Sequence, residues 1–375
     1  MVVGAGLTGA TTARKIASEL QQRVLVIDQR SHIGGNAFDY VDENGVLVHK
    51  YGGHIFHTNS KQVERFLSKF TGWTPYEHKV NAWIDGQLVP LPINFNSLDM
   101  IFGKSEGKRM INALQEEFGE HTSVPILKMR KSSCSQIRHI ADVIYEKVFL
   151  HYNLKQWGLA PEQLDPSVSA RVPVRLSRDD RFFQDSFQNM PKDGYTAMFK
   201  RILDHPLINV ELNTSYRQAV EEQSFRRLIY TGPIDEYFEY RYGPLPYRSL
   251  RFQFETRAQK NLVQPVAQEN YPTPANEHGF TRSVEFRHLT NQNNIDSTTL
   301  SIEYPEDYVV GENEPYYPVP RLENRELFRK YQADAQKLKT VIFAGRLADY
   351  SYYNMDQAVA RALSCFHKQI VPIAV

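Results

Sequence analysis

The first 36 residues constrain the fold more than any other stretch of the chain. They read Val2-Val3-Gly4-Ala5-Gly6-Leu7-Thr8-Gly9, then a helical run, then Val24-Leu25-Val26-Ile27-Asp28, then Ile33-Gly34-Gly35-Asn36. An apolar strand that ends in a turn this tight needs Gly4. Gly6 lets the backbone approach a pyrophosphate, and Gly9 lets the next helix pack close to the sheet. The N–H groups and dipole at the start of that helix attract phosphate. Over Thr11 to Gln21 the apolar residues Ala13, Ile16, Ala17 and Leu20 recur at helical spacing. Val24 to Ile27 is a wholly apolar strand ending in Asp28, nineteen residues after Gly9, where a carboxylate can accept from a ribose. A lone glycine motif says little, but strand, glycines, helix, strand and acid in this order predict a dinucleotide site.

The Gly34-Gly35 pair soon after Asp28 favours FAD over NAD, because that extension accompanies the fingerprint in flavoproteins. Only Met1, Val2 and Val3 precede Gly4, so the first strand is short, as in a chain missing a few N-terminal residues. At 375 residues the chain predicts two or three domains. Its 44 basic and 43 acidic residues provide no field for nucleic acid or a membrane surface. No apolar run reaches a membrane span and no signal peptide precedes the first strand. Cys134 and Cys365 alone make neither a disulfide framework nor a metal site, so a cytoplasmic protein without metal is expected.

Further along, Leu47 to Phe56 predicts a short strand and then Tyr51-Gly52-Gly53-His54, whose glycine pair permits close backbone approach. Gln62 to Phe70 predicts a short helix, and Val80 to Leu91 a hairpin around Asp85-Gly86. Ser97 to Gln156 turns helical, with Ile137, Ile140, Ile144 and Val148 on one face. Strands are expected at Leu207 to Leu212, Leu228 to Tyr230, Leu250 to Phe254, Val284 to Leu289, Thr298 to Glu303 and Val341 to Gly345. Helices are expected at Arg325 to Lys337 and Asp356 to Ile370. The fold class is therefore α/β: a discontinuous Rossmann-like FAD-binding domain with an inserted helical bundle and an antiparallel β-sheet domain. The expected parts are 1–78 with 191–235 and 335–375 for FAD, 97–170 helical, and 79–96 with 171–190 and 236–334 for the sheet. Met355-Asp356 would place the last helix N-terminus near the flavin's ribityl and phosphate groups.

The chain resembles the bacterial UDP-galactopyranose mutases along essentially its whole length. The resemblance is carried by Tyr51–Thr58, Lys155–Gly158, Ala170–Arg175, Tyr230–Phe238, Thr281–Arg287, Glu314–Val319 and Gly345–Asp356. It implies a non-redox isomerase that interconverts UDP-galactopyranose and UDP-galactofuranose for a cell-surface galactofuranose polysaccharide. Reduced FAD would act through N5 as nucleophile on the anomeric carbon, with UDP leaving and returning, and NADPH or NADH as external reductant. Arg171 and Arg282 match the family's phosphate-binding arginines, a task that suits planar bidentate donors. Tyr317 and Tyr352 match its tyrosines beside flavin and sugar, with one of each neighbouring pair (Tyr316 and Tyr350) expected in the core. Tyr152 and Trp157 match its uracil segment, joined by Asn153, Phe182, Asn270 and Asn81 around the substrate. His54 and His57 would line the flavin face, with His57 among the catalytic set. Gly4, Gly6, Gly9, Asp28, Gly34, Gly35, Asn36, Gly232, Gly345, Arg346, Met355 and Asp356 would hold FAD. The partner is a small nucleotide sugar, and a homodimer is compatible with this picture.

The chain departs from the family pattern in places. Asn153 stands for threonine, Phe182 for tyrosine and Val148 for an aromatic, while Ser351 and Asn354 replace a cation and an anion. Losing one hydrogen bond to a charged group costs about 1.5–3 kcal/mol, so these changes bear on substrate choice more than on the chemistry. Three alternatives remain: a mutase for another nucleotide sugar, an amine oxidase- or desaturase-like flavin oxidoreductase, and a non-catalytic nucleotide-sugar-binding protein. The paired arginines count against the oxidoreductase.

Overall fold

The computed structural model describes residues 1–120 and 122–373. Five parallel strands form its first sheet, in the order Ile208–Leu212, Val24–Asp28, Val2–Val3, Leu228–Tyr230, Val341–Phe343. Numbered along the chain this is 3-2-1-4-5, the doubly wound order, whose reversal falls beside the first strand. The sheet is discontinuous because strands three to five arrive only after the helical module and part of a second sheet have been inserted. Helix Leu7–Leu20 buries Ala10, Ala13 and Ala17 completely, and helix Met355–Cys365 packs against it. The small side chains allow this close packing, and dispersion summed over such contacts is what holds the layer.

The second sheet has seven strands: Tyr317–Pro318, Tyr247–Arg257, Thr298–Asp307, Arg282–Glu285, Gln268–Asn270, Val80–Ile84 and Gln87–Leu91. It is antiparallel except where Gln268–Asn270 runs parallel to Val80–Ile84. A parallel pair needs a long crossover, and here the helical module together with two strands of the first sheet lies within it. Asp85 and Gly86 both adopt positive φ (50° and 77°) in the hairpin turn, as a type I′ turn requires.

Within the helical module, Ile137, Ile140 and Ile144 are fully buried in one core with Leu98, Leu114 and Met129. Helix Ser135–Ile144 continues through a π-turn, Tyr145–Leu150, into helix His151–Trp157. The wider turn frees carbonyls, and Asn153 Nδ2 donates to that of Phe149 at 2.7 Å. None of the helices among the described residues is long and apolar enough to cross a membrane.

Two expected strands are corrected. Leu47 to Phe56 divides into Leu47–His49 and Phe56–Thr58, which join different sheets on either side of a turn. The strand expected at Val284 to Leu289 stops at Glu285, and Phe286–Thr290 is helical. Phe286 and Leu289, three apart, are both buried, while Arg287 turns away to donate to the carbonyls of Gln292 (2.9 Å) and Lys260 (2.9 Å). Residues three apart share a helix face but point to opposite faces of a strand, so this pair fits the helix that forms.

Candidate functional site

A continuous cavity of about 2260 Å³ extends from the C-terminal ends of the parallel strands to the second sheet and helix His151–Trp157. Ligand pockets usually occupy roughly 300–1,000 Å³, so this one has room for a dinucleotide and a second ligand together.

At the strand end, helix Leu7–Leu20 starts from Gly6 with no side-chain cap and no acidic residue in its first turn. Its first N–H groups are therefore left for an anion. The Asp28 carboxylate accepts from the N–H of Ala5 (2.8 Å) and of Arg30 (2.9 Å). An ionised carboxylate has about four acceptor positions, so two remain for hydroxyl groups. Gly4, Gly6, Gly34, Gly35, Asn36, Gly232, Gly345, Arg346 and Met355 line this end. Arg30, also on the cavity wall, donates to Asn36 Oδ1 (2.9 Å) and Glu314 Oε2 (2.7 Å) and stacks on Tyr51 (4.6 Å).

Two histidines occupy the middle. His54 Nδ1 lies 2.8 Å from the Gly52 carbonyl, which makes Nδ1 the protonated nitrogen, and burial lowers its pKa to about 3. It is a neutral imidazole throughout the physiological range. His57 Nδ1 is 2.8 Å from Asp185 Oδ2, and its ring stacks on Phe183 at 3.6 Å.

The far wall is built by strand register. Asn270 pairs with Arg282, and Arg282 pairs with Glu303, so the three stand in one row across adjacent strands. Arg282 Nε donates to Glu303 Oε2 at 2.6 Å, and Glu303 is 1% exposed. Burial works against the Arg282 charge, but the field of Glu303 outweighs it and keeps the guanidinium protonated. Burial likewise raises the Glu303 carboxyl, with Arg282 drawing it back down. Among the described residues only Nε is engaged in this way, which leaves both terminal nitrogens for a ligand. Gly52 makes the arrangement possible: a Cβ there would lie 2.7 Å from Glu303 Oε1. The glycine pair thus approaches the sheet behind Arg282.

Above this row, Tyr317 and Tyr352 pack edge to face (4.9 Å) and Trp157 meets both, at 6.0 and 5.9 Å. Burial raises the Tyr317 and Tyr152 phenols, so each remains a neutral donor. Their neighbours are occupied elsewhere: Tyr316 OH donates to the Tyr51 carbonyl and Tyr350 OH to that of Pro246, both at 2.5 Å. Tyr152, Asn153, Phe182 and Asn270 line the cavity, as does Val148, one turn before Tyr152.

Arg171, just past the end of helix Pro166–Ala170, also lines the cavity. It is exposed, stacks on the Tyr352 ring at 3.9 Å, donates to the Tyr352 carbonyl at 2.9 Å and bonds Asn354 Oδ1. Asn354 is one of the departures noted above, so this guanidinium rests on a neutral amide and keeps its full charge for an anion. Removing an exposed cation from the cavity wall should cost affinity for an anionic ligand and leave the fold intact. Arg171→Ala is expected to weaken binding of a diphosphate-bearing ligand such as UDP roughly tenfold with an unchanged melting temperature, read by a binding titration and thermal denaturation.

Three expected site residues do not line the cavity. Asn81 is corrected: Ala82 is the residue paired with Asn270, so pleat alternation puts Asn81 on the opposite face of the sheet. Gly9 lies behind the cradle against Gly4, and Asp356 accepts from Thr58 Oγ1 at 2.9 Å. Sequence patterns alone miss Arg30, Asp185 and Glu303. Each has at least one partner distant in sequence, and nothing in its local pattern singles it out.

The profile of the UDP-galactopyranose mutase family matches residues 147–352, and that of a NAD(P)-binding Rossmann-like domain matches residues 2–70. A probable UDP-galactopyranose mutase of Klebsiella pneumoniae is 36% identical, covering 97% of this chain and 92% of its own. The UDP-galactopyranose mutase of Mycoplasma genitalium is 35% identical over 96% and 91%, and a dTDP-fucopyranose mutase of Escherichia coli is 32% identical over 97% and 96%. A crystal structure of reduced UDP-galactopyranose mutase superposes with a TM-score of 0.74 at 16% identity, covering 99% of this chain and 93% of that one. With relatives this similar over nearly its full length, the chain belongs to the UDP-galactopyranose mutase family of isomerases.

Proposed function

We propose that the protein interconverts UDP-galactopyranose and UDP-galactofuranose with FAD as its cofactor. The observation that carries this reading is one cavity lined both by the uncapped helix start at Gly6 and by two arginines, Arg282 and Arg171. The open N-terminus at Gly6 and the acceptor positions on Asp28 suit the pyrophosphate and ribose of FAD. When reduced, the flavin would supply a nucleophilic N5 for the anomeric carbon; NADPH or NADH would keep it reduced.

The protein's own part is to bind, orient and balance charge. Arg282, aimed by Glu303, and Arg171 would hold the diphosphate as negative charge accumulates on it, the charge stabilisation that preorganised donors provide best. Tyr317, kept neutral by burial, would donate to phosphate or sugar oxygens without adding charge, with the Tyr352 hydroxyl beside it. Tyr152 and Trp157 offer flat surfaces for the base. His54, neutral and fixed by Gly52, would offer Nε2 as an acceptor in the middle of the cavity, and Asp185 would orient His57.

The test is a chromatographic assay with UDP-galactofuranose, run with and without dithionite. Conversion to the pyranose under reduction alone is expected. Conversion that ignores reduction would remove the flavin from the chemistry. A bound, reduced flavin with no conversion would favour a second reading, a mutase for another nucleotide sugar. That reading is supported by the cavity position of Val148 and Phe182 and by the dTDP-fucopyranose mutase among the relatives, so dTDP-fucose belongs in the same assay.

A further inference from the structure

Lys155 lies between Tyr152 and Trp157 in sequence but does not face the cavity. It is 8% exposed, and its ammonium donates to three backbone carbonyls: Tyr271 (2.7 Å), His278 (2.9 Å) and Phe280 (2.8 Å). All three N–H bonds are used, and no carboxylate is bonded to them. Burying a cation this way is unfavourable unless each hydrogen finds an acceptor. The three carbonyls belong to the loop between Asn270 and Arg282, and the Tyr271 N–H closes the loop's neck on the Thr281 carbonyl at 2.9 Å. One ammonium therefore joins the helix bearing Tyr152 and Trp157 to the loop whose two ends carry Asn270 and Arg282.

We propose that Lys155 is a positioning residue that sets the spacing between the base-side helix and the diphosphate-side strand, and so the affinity for a nucleoside diphosphate. The proposal rests on the nucleotide-sugar reading above. Once the amine loses its proton it has two N–H donors for three carbonyls, and one end of the loop is released. Burial lowers this pKa to about 8, which brings the change within experimental reach. The charged and titratable groups around it are Glu277 and His278 on the loop and Arg248 on strand Tyr247–Arg257. Glu277 favours the ammonium; Arg248 donates to the Lys155 carbonyl at 3.2 Å and pairs with Asp307. None of these is altered by substituting Lys155.

The experiment titrates FAD-loaded protein with UDP by fluorescence at about pH 7 and about pH 9, for wild type, Lys155→Met and Lys155→Arg, on either side of the lysine transition. Wild-type Kd should rise about threefold or more between the two, because a misplaced wall weakens binding without touching the chemistry. K155M should start about tenfold weaker and follow only the baseline that UDP's own ionisation imposes; K155R, always charged, should follow that same baseline. Flavin absorbance per protein verifies folding. A flavin-loaded K155M that binds UDP like wild type would overturn the proposal. So would a wild-type Kd with no more pH dependence than K155R, a comparison that stands even if K155M fails to load flavin. Wild type that binds no UDP at either pH would overturn the nucleotide-sugar reading, and this inference with it.

Discussion

Replacing Arg282 with Lys is expected to lower kcat/KM by about 10²–10³-fold while the protein still purifies with its flavin. The reason is a division of labour within one guanidinium. Nε is committed to Glu303 at 2.6 Å, and among the described residues nothing bonds the terminal nitrogens of this cavity-lining side chain. A lysine has a single ammonium, and the buried carboxylate opposite would capture it, leaving the diphosphate without its cation. Because Glu303 would still be neutralised, the fold should escape the cost of an unpaired buried charge, about 3–5 kcal/mol, that Arg282→Ala would incur. The double variant Arg282→Lys/Glu303→Gln should recover part of the loss, since glutamine competes less strongly for the ammonium. Steady-state kinetics with dithionite-reduced enzyme reads both. Single-variant activity within a few-fold of wild type would mean that Arg282 serves only its ion pair.

The parts of the molecule legible in the sequence are those whose physics is local. Gly4, Gly6, Gly9 and Asp28 announce the first βαβ unit because turn, helix start and acid lie within one short segment. The apolar runs Leu228–Tyr230 and Val341–Phe343 read as buried strands because both faces of a parallel sheet are covered. Asn81 went wrong because its face depends on pairing with Gln268–Asn270, strands almost two hundred residues apart that meet in parallel. A one-residue difference in phase sends a side chain to the other side of a sheet. Glu303 and Lys155 escaped for a related reason. Each looks like an ordinary charged residue until long-range register supplies Arg282 for one and three loop carbonyls for the other. Tyr316 and Tyr317 show the limit most closely: nothing in the local sequence tells which of the adjacent hydroxyls is taken up, and it is that of Tyr316, by the Tyr51 carbonyl.

Gly9→Ala should give a protein that purifies with little or no flavin, with Kd for added FAD raised by about 100-fold or more, the scale of a small misplacement at a binding centre. The added Cβ would lie 1.8 Å from the Gly4 carbonyl oxygen and 3.0 Å from its carbon, both backbone atoms that no rotamer change can move. Helix Leu7–Leu20 would have to withdraw, yet Ala10, Ala13 and Ala17 hold it fully buried against the sheet and helix Met355–Cys365. Overpacking of this kind typically costs about 1–3 kcal/mol, and the displacement falls on the helix start, whose N–H groups would no longer meet the pyrophosphate. Gly279→Ala is the matched control. Its Cβ meets nothing within 4 Å and its φ is not positive, so flavin content and melting temperature should remain those of wild type. Flavin absorbance relative to protein, with a melting curve, distinguishes the two. A Gly9→Ala protein carrying a full complement of flavin would show that the turn can open without disturbing the helix start. The tight packing of Gly9 against Gly4 would then be incidental to cofactor binding.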